Sequence, residues 1–115
     1  MKLSEQTAKP VAKGTIPLST KETEHLLHEV PAWSLHERTI DRELRFKDFR
    51  AAMDFVNRVA ELANSADHHP DIVISYNKVR LMLTTHKIDG LSMNDFIVAA
   101  KIDLLAAPLF RENAA

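Results

Sequence analysis

Apolar residues recur along this chain with two spacings, three to four residues in some stretches and two in others, and the changes between them mark out the elements. Ser19 followed by Glu22 has the spacing of a capping box, and Leu26, Leu27 and Val30 then predict a short amphipathic helix stopped by Pro31. From Trp33 to Phe46 the pattern is extended, with Ile40, Leu44 and Phe46 at even spacing and charges between them, predicting one or two half-buried antiparallel strands. Phe49, Met53, Val56, Ala60 and Ala63 return every three or four residues and predict a longer helix. Between Pro70 and Thr85, Ile72, Ile74 and Tyr76 alternate with less apolar positions, as do Val79, Leu81 and Leu83. A β-hairpin follows, its two-residue turn at Asn77 and Lys78 pairing Tyr76 with Val79, Ile74 with Leu81 and Ile72 with Leu83. After Gly90, Ser92 and Asp95 repeat the capping-box spacing ahead of a last helix that carries Phe96, Ala99, Ala100 and Leu104 and ends at Pro108. Residues 1–18 mix lysines with Pro10, Gly14 and Pro17 without a period and read as a flexible or extended arm, leaving 19–115 as one domain. Strands and helices in this order, without regular βαβ alternation, predict an α+β fold with helices on one face of an antiparallel sheet.

With 115 residues only one modest core is available, so self-association would usefully cover further apolar surface. Fifteen basic and 16 acidic residues are interspersed for a formal charge of -1, which gives no bulk attraction to nucleic acid. No apolar run approaches the length of a membrane span, no secretory leader is visible, and cysteine is absent. These features lead to an expectation of a cytoplasmic protein with no disulfide, thiolate zinc site or cysteine nucleophile.

Extending the hairpin register outward sets His69 opposite His86, with His68 adjacent and Asp95 brought near by the loop at Gly90. Imidazole titrates at about pH 6.5 and serves as acid or base with little tuning, so three histidines and a carboxylate suit a reaction built on proton transfer, such as a dehydration, with no cofactor. The same residues have a plain structural reading: His68 and His69 as strand-entry histidines, Asp95 as a helix cap. A metal centre is not expected, because neighbouring histidines on a strand chelate one ion poorly and no HExxH or cysteine ligand accompanies them. His25, His28 and His36 show no partner pattern.

The run His68-His69-Pro70, five residues, Tyr76, nine residues, His86, eight residues, Asp95 is similar to the signature of the pterin-4a-carbinolamine dehydratases. The likeness extends back through Phe46-Lys47-Asp48-Phe49 to Trp33 and covers about residues 20 to 105. It implies a four-stranded antiparallel sheet with about three helices on one face, assembled as a homodimer or homotetramer. It also implies removal of water from a 4a-hydroxytetrahydropterin to give a quinonoid dihydropterin, the pterin being substrate and not cofactor. By the same resemblance His68 and His86 would carry acid/base chemistry, His69 and Trp33 would meet the pterin, and Asp95 would close the catalytic set. Asn64 stands where the signature usually has an ionisable residue; as a substrate-binding residue it can hydrogen-bond but cannot exchange a proton or carry charge. That departure keeps a second expectation open, a dehydratase-like binding protein without strong catalysis, such as a Rubisco assembly factor or a transcription-factor dimerisation partner.

Overall fold

Helix α1, Thr20–Leu27, begins where the spacing places it: the Ser19 hydroxyl accepts from the Glu22 backbone N–H at 3.1 Å, and the Glu22 carboxylate accepts from the Ser19 N–H at 2.9 Å. These reciprocal bonds satisfy two amide donors that a helix start otherwise leaves open. The computed structural model describes residues 2–113, with side chains through residue 109; residues 1, 114 and 115 of the expected arm and domain lie outside the described residues. Strands β1, Ser34–His36, and β2, Thr39–Arg45, follow as a tight hairpin, then helix α2, Phe49–Ala66, strands β3, Asp71–Ser75, and β4, Lys78–Leu83, and helix α3, Met93–Asn113. All neighbours pair antiparallel in the order β1-β2-β4-β3, so the sheet has four strands and β1 and β3 are its edges.

Alternation sorts the sheet into two faces. Ile40, Leu44, Val79, Leu81 and Leu83 are buried toward the helices, where they join Phe55, Val59, Phe96 and Ile102 in one core. Removing a side chain of that size from water contributes about 1.5–3 kcal/mol. The opposite face carries polar groups, among them Asp41, whose carboxylate accepts from the Arg80 guanidinium at 2.8 Å.

Three expectations are corrected in detail. The hairpin turns at Tyr76 and Asn77, not at Asn77 and Lys78: Ser75 pairs with Lys78, Ile74 with Val79 and Ile72 with Leu81, a slip of two residues. A slip of two keeps every side chain on its face, so the apolar pattern could not choose between the registers. The residue just beyond β2 chooses, because Asn77 donates its side-chain amide to the Phe46 carbonyl and its backbone carbonyl accepts from the Phe46 N–H, both at 2.8 Å, while Tyr76 takes the left-handed backbone, φ 52.

In α2 the buried stripe is Ala52, Phe55, Val56, Val59 and Ala63, whereas Phe49 is 50% exposed and Ala60 faces solvent. Helix α3 runs through Pro108 instead of ending there. The proline withholds one amide from the Leu104 carbonyl, and Leu104 is 60% exposed, so water can serve that oxygen. Asn94 through Ala99 are all buried, which makes the start of α3 a central rod and not a one-sided amphipathic helix.

Residues 7–18 of the arm have mostly irregular backbone, and the arm packs on the rest of the chain. A 3-10 turn at Leu3–Glu5 buries Leu3 against α3, Leu18 N–H donates to Leu91 O at 2.9 Å, and Gly90 meets Pro17 so closely that an added Cβ would stand 2.7 Å from the proline ring.

The Ser19 cap should contribute about 1 kcal/mol, so Ser19→Ala is expected to lower the free energy of urea unfolding by that amount. The bonds from Ser19 hold the Glu22 carboxyl below its usual range, so its contribution is present above the unfolded-state value and lost as pH falls through the folded one. Glu22→Gln should therefore destabilise at neutral pH and converge with the wild type in acid; equal effects at both pH values would show that the charge plays no part.

Candidate active site

Helix α2 ends in a left-handed residue, Asp67 at φ 51 and ψ 41, whose N–H reaches the Ala63 and Asn64 carbonyls, and the next amide, His68 N–H, also returns to Ala63 O at 3.1 Å. This termination occupies the Ala63 and Asn64 carbonyls in the last turn, and His68 and His69 leave the helix there before Pro70 starts the path into β3. Asp tolerates the left-handed region better than most residues with a Cβ. Across from them β4 ends at Leu83, and the chain turns through Thr84 and Thr85 into a 3-10 turn, His86–Ile88, closed by the Thr85–Gly90 bridge. The expected cross-strand pairing of His69 with His86 does not occur, because both lie beyond the strands and the register is shifted.

The three histidines nonetheless share a cleft of about 480 Å³, lined also by Asp67, Thr84, Thr85, Lys87, Asn94 and arm residues 8–11. Behind it lies Asp95, fully buried at the start of α3. One carboxylate oxygen, Oδ1, lies 2.6 Å from His68 Nε2. The other, Oδ2, accepts from the Thr85 hydroxyl at 2.8 Å and from the Ser92 N–H at 2.9 Å. With its proton committed to Asp95, the Thr85 oxygen is left to accept from the Ser92 hydroxyl, 2.7 Å away. Half of the expected capping box therefore forms: Asp95 reaches back to the Ser92 amide, while the Ser92 hydroxyl turns to Thr85 instead of capping.

This arrangement assigns hydrogens. A carboxylate only accepts, so His68 Nε2 carries the proton toward it, and in the neutral ring Nδ1 holds the lone pair. Among the described residues His68 Nδ1 has no hydrogen-bond partner. His69 is more exposed and is held at Nε2 by Asn64 Oδ1, 2.9 Å away. His86 is exposed at the cleft's edge.

Two candidate residues sit differently from expectation. Asp95 does not line the cleft and touches it only through its contact with His68. Trp33 is 3% exposed and borders a separate hollow with Glu24, Leu27, His28 and Pro31. Its indole N–H donates to Asp103 Oδ1 at 2.8 Å, and the Arg42 guanidinium of β2 reaches the same oxygen at 2.6 Å, so the tryptophan ties the segment just before β1 to α3 and is not among the residues that line the histidine cleft. Thr85, absent from the candidates, carries a signal in the sequence: it continues the core-facing series Val79, Leu81, Leu83, and a hydroxyl at a buried position needs a partner.

The family model described as pterin 4 alpha carbinolamine dehydratase matches residues 16–105. A curated relative from Halorhodospira halophila, provisionally named pterin-4-alpha-carbinolamine dehydratase, is 45% identical over 93% of this chain and all of its own length. One from Rubrobacter xylanophilus with the same provisional name is 44% identical over 90% of this chain and 97% of its own. Among solved structures, a Brucella melitensis protein described as a transcriptional coactivator/pterin dehydratase superposes with a TM-score of 0.75 at 32% identity, covering 78% of this chain and 98% of that one.

Losing the Asp95 carboxylate would leave a buried hydroxyl and amide without an acceptor. Asp95→Ala should therefore destabilise the fold by about 3 kcal/mol in denaturant titration, clearly more than Asn64→Ala at the exposed His69 contact, which should cost about 0.5 kcal/mol or less.

Proposed function

The chain belongs to the pterin-4-alpha-carbinolamine dehydratase family, and on that footing we propose that its histidine cleft removes water from a 4a-hydroxytetrahydropterin to give a quinonoid dihydropterin. The observation that carries this reading is the 2.6 Å contact between His68 Nε2 and buried Asp95, which presents the other nitrogen as a base. The reaction is an elimination. The C4a–O bond breaks as the departing hydroxyl receives a proton, the N5–H proton is taken up, and its electron pair forms the C4a–N5 double bond. One group must give a proton and another accept one, so the pair is restored by net transfer between them.

His68 suits the accepting role, since Asp95 fixes its ring and orients the Nδ1 lone pair. His86, exposed on the opposite wall, suits the role of acid toward the hydroxyl. His69, anchored by Asn64, suits a hydrogen bond to the pterin. In this reading Asn64 need not titrate; it supplies an acceptor that orients a ring.

Assembly as a homodimer or homotetramer is part of the same proposal. The edge strand β3 supports it, with Val73 50% and Ile74 37% exposed and Tyr76, at its turn, 65% exposed. An unprotected apolar edge favours pairing with a second copy. Among the described residues no helix is long and apolar enough to cross a membrane.

Dehydration of freshly generated 4a-hydroxytetrahydropterin should run about 10² to 10⁴-fold faster with the protein than without it, and His68→Ala or His86→Ala should remove most of that gain. A folded wild type that leaves the rate at its spontaneous value would sink the dehydratase reading. Sedimentation should give at least twice the chain mass, and Val73→Lys should shift the protein toward monomer; a wild-type monomer at working concentration refutes the assembly.

A further inference from the structure

One wall of the histidine cleft is neither helix nor sheet. Ala8, Lys9, Pro10 and Val11 form it, and they precede residue 16, where the family match begins. A surface segment of irregular backbone would ordinarily wander. Here it is clasped: Lys9 N–H donates to Asn94 Oδ1 at 3.0 Å, and Asn94 Nδ2 donates to Lys9 O at 2.6 Å. Asn94 is 9% exposed and precedes Asp95, so adjacent residues of α3 hold the arm on one side of the cleft and the His68 ring behind it. Farther along, Lys101 Nζ donates to Ser4 O at 2.9 Å and Leu3 is buried, which ties the arm at a second point and limits how far the wall can move.

We infer that residues 8–11 are a substrate-contacting wall of the cleft, that they set how tightly the pterin is held, and that Asn94 is the positioning residue for it. The inference rests on the dehydratase reading above. Both the oxygen and the nitrogen of the Asn94 side-chain amide bond the arm's backbone, and the group does not titrate, so its effect is expected on binding. The two bonds together are worth about a factor of ten in affinity if an unclasped arm leaves the wall open.

The test uses the full chain and a stable dihydropterin as probe, with binding followed by calorimetry and turnover measured separately. Asn94→Ala should raise Kd and KM about tenfold while kcat stays within about twofold, since His68 and Asp95 are untouched. Lys9→Pro, which removes the backbone donor but keeps the carbonyl that accepts from Asn94, should raise both in the same direction by a smaller factor, and the double variant should be no worse than Asn94→Ala alone, as expected for one shared contact. Lys9→Ala keeps the backbone clasp and separates it from any effect of the ammonium. Trypsin cleavage after Lys13 should quicken in both clasp variants, reporting release of the arm independently of catalysis. Wild-type affinity in a variant whose arm is shown to be released would overturn the inference, as would a fall in kcat with Kd unchanged. A wild type that binds no pterin fails earlier, and takes the dehydratase reading with it.

Discussion

The buried carboxylate of Asp95 is the constraint around which the rest of the site is arranged. A charge with no exposure is tolerable only when its oxygens are occupied, and this one accepts from the Ser92 amide, the Thr85 hydroxyl and His68. Each donor comes from a different piece of chain: the start of α3, the end of β4 and the exit of α2. Satisfying one carboxylate therefore brings three elements to a common point. The cap of a helix and the orientation of an imidazole are achieved by the same two oxygens.

Around that point the molecule divides its work between rigid and adjustable parts. His68 is fixed twice, by the helix-ending turn at Asp67 and by Asp95, while His69 and His86 are held less tightly nearer to solvent. A proton-transfer site gains from this division, because a base whose ring is already oriented loses little freedom when the substrate arrives. The Trp33–Asp103–Arg42 contact does a comparable job away from the cleft, joining sheet to helix through a single carboxylate oxygen. The arm adds the cleft's remaining wall from outside the residues that match the family, held through backbone groups and hence indifferent to most of its own side chains.

Much of this was written in local pattern. The Ser19 cap, the helices, the presence of a hairpin and the α+β class follow from periodicity and turn chemistry, which depend on neighbours a few residues away. The spacing from His68 to Asp95 carried the family and the members of the cleft. What local pattern could not decide was anything set by a distant partner: the two-residue slip of the hairpin, chosen by Phe46 gripping Asn77; the packing of the arm, chosen by Asn94; and the place of Trp33, chosen by Asp103. Alternation is blind to a slip of two because both registers bury the same faces, and a polar side chain carries no mark of which far-off group it will meet. Hydrophobic period determined which residues face inward; tertiary hydrogen bonds between buried polar groups determined which of the equivalent arrangements was adopted.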